Sequence, residues 1–267
     1  MSGASAGAAL PHALFVSHGS PTLPFDDVPA RGFLRGLGAP LAAVRAIVGV
    51  SAHTIGGGVV VGSAPRMHAV HDFGGFPDAL YRLRYDPPGD AALASRVAAR
   101  LSAAGVAPLS QAPIDGLDHG LWVPLSLMFP EARVPVVVVS LDVRLDAAHH
   151  LAVGRALYGL RSEGVLVLGS GSITHNLRDV RVRAIGAPVE PYAQAFTDWA
   201  VATVCAGDAD ALVGWPQAPH AARAHPSAEH FVPLLVAAGA GGTRGAGVLL
   251  HASFTFGVLG MHAFAFG

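Results

Sequence analysis

Four short stretches of the chain are apolar and β-branched without alternation: ALFVS (13–17), AIVGVSA (46–52), VPVVVVSL (134–141) and VLVLGS (165–170). A strand covered on one face alternates apolar and polar residues, whereas one covered on both faces does not. These runs therefore predict strands of a parallel or mixed sheet lying between helices. A fifth run, GVLLHASFTF (247–256), alternates more and predicts an edge or antiparallel strand. Between the runs the apolar spacing becomes helical. Residues 90–105, 146–164 and 191–207 each close on glycine; Asp146 offers an N-cap to the second, and Pro191 opens the third. Residues 226–242 predict a further helix opened by Ser227, with Pro233 in its first turn or at a kink. The alternation of strand and helix predicts one α/β domain over 1–267, with a central mixed, mostly parallel sheet flanked by helices. Residues 1–12 read as a flexible N-terminal segment. Two long Gly/Pro-rich loops, 71–90 and 215–227, have the length and composition of functional or mobile segments.

Composition narrows the chemistry. Hydrophobic residues make up 52% of the 267 and charged residues 13%, enough for a well-buried core. A net charge of −1 gives no footprint for nucleic acid. All 17 basic residues are arginine, so a Schiff-base lysine, a pyridoxal phosphate anchor and a Walker A loop are excluded. Cys205 is the only cysteine, which excludes internal disulfides, iron–sulfur clusters and thiolate zinc sites. The N-terminus lacks the basic and apolar regions of a signal peptide, and no stretch reads as a membrane span. The expectation is a cytoplasmic protein without a membrane partner, its apolar content compatible with a homodimer.

Against 18 acidic residues stand 14 histidines. His18 follows the first apolar run, His53 the second and His175 the fourth. In open α/β sheets ligands bind outside the carboxyl ends of the strands, and three strands would each deliver an imidazole there. His230 would occupy the third position of a helix capped by Ser227, with Glu229 beside it as a rival ligand. His119, in GLDHGLW, follows a turn and precedes an apolar helical stretch. One histidine after a strand is ordinarily a hydrogen-bonded turn residue; the recurrence is what singles these out. His68, His71, His149, His150, His220, His225, His251 and His262 read as surface or packed residues, with His71 and His225 nearest to reaching a pocket. Without thiolates, imidazole and carboxylate ligands suit zinc or non-haem iron(II), and ligand types alone do not separate the two.

Taken together, FVSHGSPTL, VSAHT, HDFGGFPDALY, DHGLWVPL, GSGSITHNLRD and HPSAEHFVPLL resemble the 4,5-DOPA extradiol dioxygenase family, within the class III, LigB-like ring-cleaving dioxygenases. The resemblance runs from about residue 13 to the C-terminus. It implies iron(II), or zinc in its place, held by His18, His53 and His230, with Glu229 in doubt beside His230. It also implies His175 as acid/base, able itself to approach the metal, and His119 as a second pocket histidine. The implied reaction inserts both atoms of O2 into a catechol-type, DOPA-like substrate and opens the ring next to the diol. In this reading Phe73, Phe76, Tyr81 and Tyr85 would pack on the ring, and Arg82 or Arg84 would meet a substrate carboxylate.

Three rival readings remain at this point. A zinc hydrolase would use the same histidines to activate water. A serine hydrolase fails on GVSAH (49–53), where His53 stands in place of the glycine that a nucleophile elbow needs. A Memo-like binding module would have no need for converging imidazoles.

Overall fold

The uninterrupted apolar runs form four adjacent strands of a six-stranded sheet. The computed structural model describes residues 11–106, 109–242 and 246–267. The sheet contains β1 (Ala13–Ser17), β2 (Ala46–Ser51), β3 (Val136–Val138), β4 (Val165–Gly171), β5 (Gly247–His251) and β6 (Ala263–Phe266). The spatial order is β3-β2-β4-β1-β6-β5. The first four in that order are parallel; β6 runs antiparallel to both β1 and β5. Side chains of β1 divide between two cores: Ala13 and Phe15 enter one, Leu14 and Val16 the other. Burial on both faces is the physical reason that the sequence does not alternate.

Helices cover both faces. α1 (Pro29–Leu37) and α3 (His119–Met128) contribute Leu34 and Leu121 to one core. α2 (Ala91–Ala103), α4 (Ala147–Leu157), α5 (Pro191–Ala206) and α6 (Val232–Ala240) contribute Val97, Leu151, Phe196 and Leu234 to the other. Asp90 and Asp146 cap α2 and α4 by accepting backbone N–H bonds from Leu93 and His149. Gly207 ends α5 in the left-handed conformation, at φ 68°.

The structure departs from the sequence expectations at definite places. The helix expected at 226–242 begins at Val232, with Phe231 rather than Ser227 at its N-cap. Pro233 has no N–H to give a preceding turn, so the helix starts one residue before it. His230 therefore precedes the helix and is not its third residue. The run at 247–256 divides: β5 is the sheet's antiparallel edge, while Phe254–Thr255 pairs with Leu259–Gly260 in a separate hairpin. Strand β6 was not anticipated. Of the segment expected to be flexible, residues 1–10 lie outside the described residues, and the His12 N–H donates to the Phe266 carbonyl at 2.9 Å. Among the described residues no helix is long and apolar enough to cross a membrane.

Candidate metal centre

Strands β2, β4 and β1 are neighbours and parallel, so their carboxyl ends lie side by side. His18 and His53 leave the ends of β1 and β2, and His230 is brought against the end of β4. There the Ser172 N–H donates to the His230 carbonyl at 2.9 Å. A Cβ at Gly171 would collide with that carbonyl, so the close approach requires glycine. The Nε2 atoms of His18 and His53 are 3.2 Å apart, and those of His53 and His230 are 3.3 Å apart. Two nitrogens held about 2.0–2.1 Å from one ion, at angles between square and tetrahedral, stand roughly 2.9–3.4 Å apart. The observed separations fall within that interval.

Protonation supports the same conclusion. His18 Nδ1 lies 3.1 Å from Ser170 Oγ, and that hydroxyl donates its own proton to the Gly120 carbonyl. Ser170 can therefore only accept from His18, which puts the ring proton on Nδ1 and a lone pair on Nε2. His230 Nδ1 donates to Glu229 Oε1 at 3.2 Å, with the same result. Two bare lone pairs are thus directed toward His53 Nε2, so acceptor nitrogens from distant parts of the chain face one point. Burial holds His18 and His230 well below the usual histidine range, and the neighbouring imidazoles add to the effect. Burial, then His119, lowers His53 as well. The donor set therefore fits a divalent metal ion and would hold it through three neutral imidazoles.

The orientation of His18 originates in a helix. Pro124 lies inside α3 and has no N–H, so the Gly120 carbonyl four residues earlier lacks its helical partner. The Ser170 hydroxyl satisfies that carbonyl and thereby becomes the acceptor for His18. Ser170→Ala is expected to weaken metal affinity by roughly 10–100-fold while the fold persists. Equilibrium dialysis against a competing chelator measures this, and unchanged affinity would rule out the relay. His53 is fixed differently. Ser51 Oγ accepts the His53 N–H at 3.1 Å and donates to Asp118 at 2.6 Å, and Thr54 donates to the other oxygen of Asp118.

Two further histidines border the centre. His175 stacks on His230, with centroids 3.4 Å apart and planes 9° apart. Its backbone N–H donates to the Ala224 carbonyl at 2.8 Å. Burial first, then the neighbouring His225, lowers its pKa to about 3, so the ring is neutral at pH 7. The His119 ring lies 4.0 Å from that of His53. Its Nδ1 is 3.0 Å from Asp72, and its backbone N–H donates to the same carboxylate at 2.9 Å. Burial opposes the charge on Asp72, but the bonds from His119 prevail and keep its pKa low. Asp72 thus holds the His119 proton on Nδ1 and leaves Nε2 free. Glu229, the rival third ligand, binds His230 on the nitrogen away from the converging atoms and also accepts from Ser227 at 2.8 Å.

His53, His119, His175, Glu229 and His230 line a cavity of about 640 Å³, and His18 lies behind them. Phe73 and Phe76 line it, as expected, whereas Tyr81, Tyr85, Arg82 and Arg84 do not. Tyr81 instead packs 5.4 Å from Phe73, and Tyr85 is buried in the core beneath α1 and α3. His71 and His225 also stay out of the lining. His71 packs against Trp122 at 5.7 Å, and the His225 Nε2–H donates to the Ile173 carbonyl at 2.8 Å amid Phe196, Trp215 and Phe231. Sequence reading missed Asp72, Asp118 and Ser170. Each lies inside a quoted motif, but each acts through a partner far away in the chain.

Comparison with known proteins agrees with this geometry. The family model described as the catalytic LigB subunit of aromatic ring-opening dioxygenase matches residues 12–267. A 4,5-DOPA dioxygenase extradiol of Beta vulgaris is 37% identical over 256 residues, which cover 94% of this chain and 95% of that protein. The Escherichia coli K12 protein of the same name is 37% identical over 231 residues, 85% of this chain and 84% of that one. Among solved structures, the uncharacterized protein JW3007 of Escherichia coli K12 superposes with a TM-score of 0.77 at 30% identity, covering 96% of this chain and 99% of the other. Because the family match runs through every strand and helix that carries a residue of the cavity, the chain belongs to the LigB family of aromatic ring-opening dioxygenases.

Proposed function

We propose that this non-haem extradiol dioxygenase uses iron(II) held by His18, His53 and His230 to open a catechol ring next to its diol, inserting both atoms of O2. The observation that carries the proposal is the convergence of the three Nε2 atoms, at 3.2 and 3.3 Å, beside a large cavity. When bound, iron(II) would supply a Lewis acid for the two ring oxygens and a route for electrons from ring to oxygen, so that no external reductant is required. Every other step falls to the chain. His175, neutral at pH 7, takes a proton from a catechol hydroxyl. His119, with its Nδ1 proton held by Asp72, offers Nε2 as an acceptor to the substrate, and the proton taken up by His175 is returned as the ring opens. Phe73 and Phe76 exclude water and bear on the ring. Relatives named for 4,5-DOPA support a catechol as the substrate class.

Metal removal tests the reading. Treatment with a chelator is expected to abolish oxygen uptake with a catechol. Anaerobic reloading with iron(II) should restore one O2 consumed per ring opened, and zinc should not. Zinc-restored hydrolysis without oxygen uptake would instead support a hydrolase.

A further inference from the structure

Phe256 also lines the cavity, and its ring sits on strained backbone. Phe256 has φ 57°, in the left-handed region, and Gly257 follows at φ 66°. The Val258 N–H donates to the Thr255 carbonyl at 3.4 Å, so the two residues form the turn of the hairpin that pairs Phe254–Thr255 with Leu259–Gly260. Tight hairpin turns with positive φ at both central residues ordinarily carry Asn-Gly or Asp-Gly. A phenylalanine there is a genuine outlier, because its Cβ crowds the following carbonyl. Ala132 and His220 are the other non-glycine residues at positive φ among those described, and neither lines the cavity. Resting on the catechol reading, we infer that Phe256 contacts the substrate ring and that Arg183 is a positioning residue that holds it there.

The turn is held from outside the cavity. Arg183 is not part of the lining, yet its Nε donates to the Phe256 carbonyl at 2.8 Å. Its Nη1 donates to Glu190 at 2.6 Å and its Nη2 to the Pro188 carbonyl at 2.6 Å, so the guanidinium is fixed on three acceptors. The Phe256 N–H donates to the Ile185 carbonyl at 2.8 Å, and the Glu190 N–H to the Gly257 carbonyl at 2.9 Å. A Cβ at Gly257 would collide with the Pro188 carbonyl, so segment 183–190 lies directly against the turn. Backbone strain persists where the surrounding structure over-determines it, and these bonds do so here. What the strain secures is the ring. Phe256 is half-buried and shares the cavity wall with Leu259 of the same hairpin. A ring fixed in this way meets an aromatic substrate at little further cost in side-chain freedom.

Asparagine accepts the left-handed backbone but lacks the ring, so Phe256→Asn separates the turn from the contact. Its melting temperature should match or exceed the native one, and its iron content should be native. Catechol, 4-methylcatechol and L-DOPA serve as probes. For each compound that the native iron(II)-loaded enzyme opens, KM should rise roughly tenfold in Phe256→Asn, with kcat changed far less. Anaerobic titration calorimetry should show the same loss in Kd. Phe256→Tyr, which keeps a ring, should recover most of that loss. Arg183→Ala should raise KM in the native background and add little to it in Phe256→Asn, because it acts through that side chain. Native KM and Kd in Phe256→Asn would overturn the inference while ring opening stands. A full additional effect of Arg183→Ala in Phe256→Asn would overturn the positioning role. If none of the three catechols supports oxygen uptake in the native enzyme, the catechol reading fails and the inference fails with it.

Discussion

Replacing His18 or His53 with alanine is expected to remove metal and turnover together. Each ring supplies one of three nitrogens, with His53 Nε2 lying 3.2 Å from that of His18 and 3.3 Å from that of His230, and loss of either ring leaves two. Loss of a direct ligand should exceed the roughly 10–100-fold that loss of a ligand's hydrogen-bond partner costs. Metal analysis of dialysed protein should fall from about one ion per chain to near none in either variant, with oxygen uptake at background. Both side chains sit at strand ends and contribute little to the apolar cores, so circular dichroism should remain that of the native protein. Full metal content in either variant would falsify the proposed ligand set.

His175→Ala should separate chemistry from metal binding. The His175 ring stacks on His230 but makes none of the close nitrogen contacts among His18, His53 and His230. The variant should keep its metal while kcat drops by roughly 10²–10⁴, the usual contribution of a positioned acid or base, with KM changed far less. An added small imidazole should recover part of the rate. Loss of the metal along with the rate would make His175 a fourth ligand rather than a proton carrier.

Which features could be read from the sequence follows from physical range. β1 matched its predicted bounds, and β2 and β4 differed by one residue at the carboxyl end, because burial on both faces leaves an unbroken local signature. Three of the site histidines were legible for a related reason: they directly follow those strands. The fold class followed from the alternation of elements. Pro233 lies in the first turn of its helix, one of the two places expected for it, but the helix start was placed too early because Ser227 offered an attractive cap that the backbone does not use. β6 was missed because AFAF is short and lies next to Gly and His rather than in a β-branched run. The supports of the site were illegible in principle. Asp72 and His119 are 47 positions apart, and His18 and Ser170 are 152 apart. No local pattern encodes such a meeting. The Pro124–Gly120–Ser170–His18 relay requires the tertiary structure even to be stated.

The pairing of β1 with β6 sets an order of events during synthesis. Ala13 lies opposite Phe266, and the Ser17 hydroxyl, next to His18, bonds to the carbonyls of Gly260 and His262. At ordinary ribosomal speeds, roughly 5–20 residues per second, the nascent N-terminal strand waits some tens of seconds for its antiparallel neighbour. Until then one side of β1 has no strand beside it, and the loop bearing the first imidazole lacks its anchor. The loop bearing His18 therefore gains its anchor only after a segment 243 positions later in the chain has joined β1.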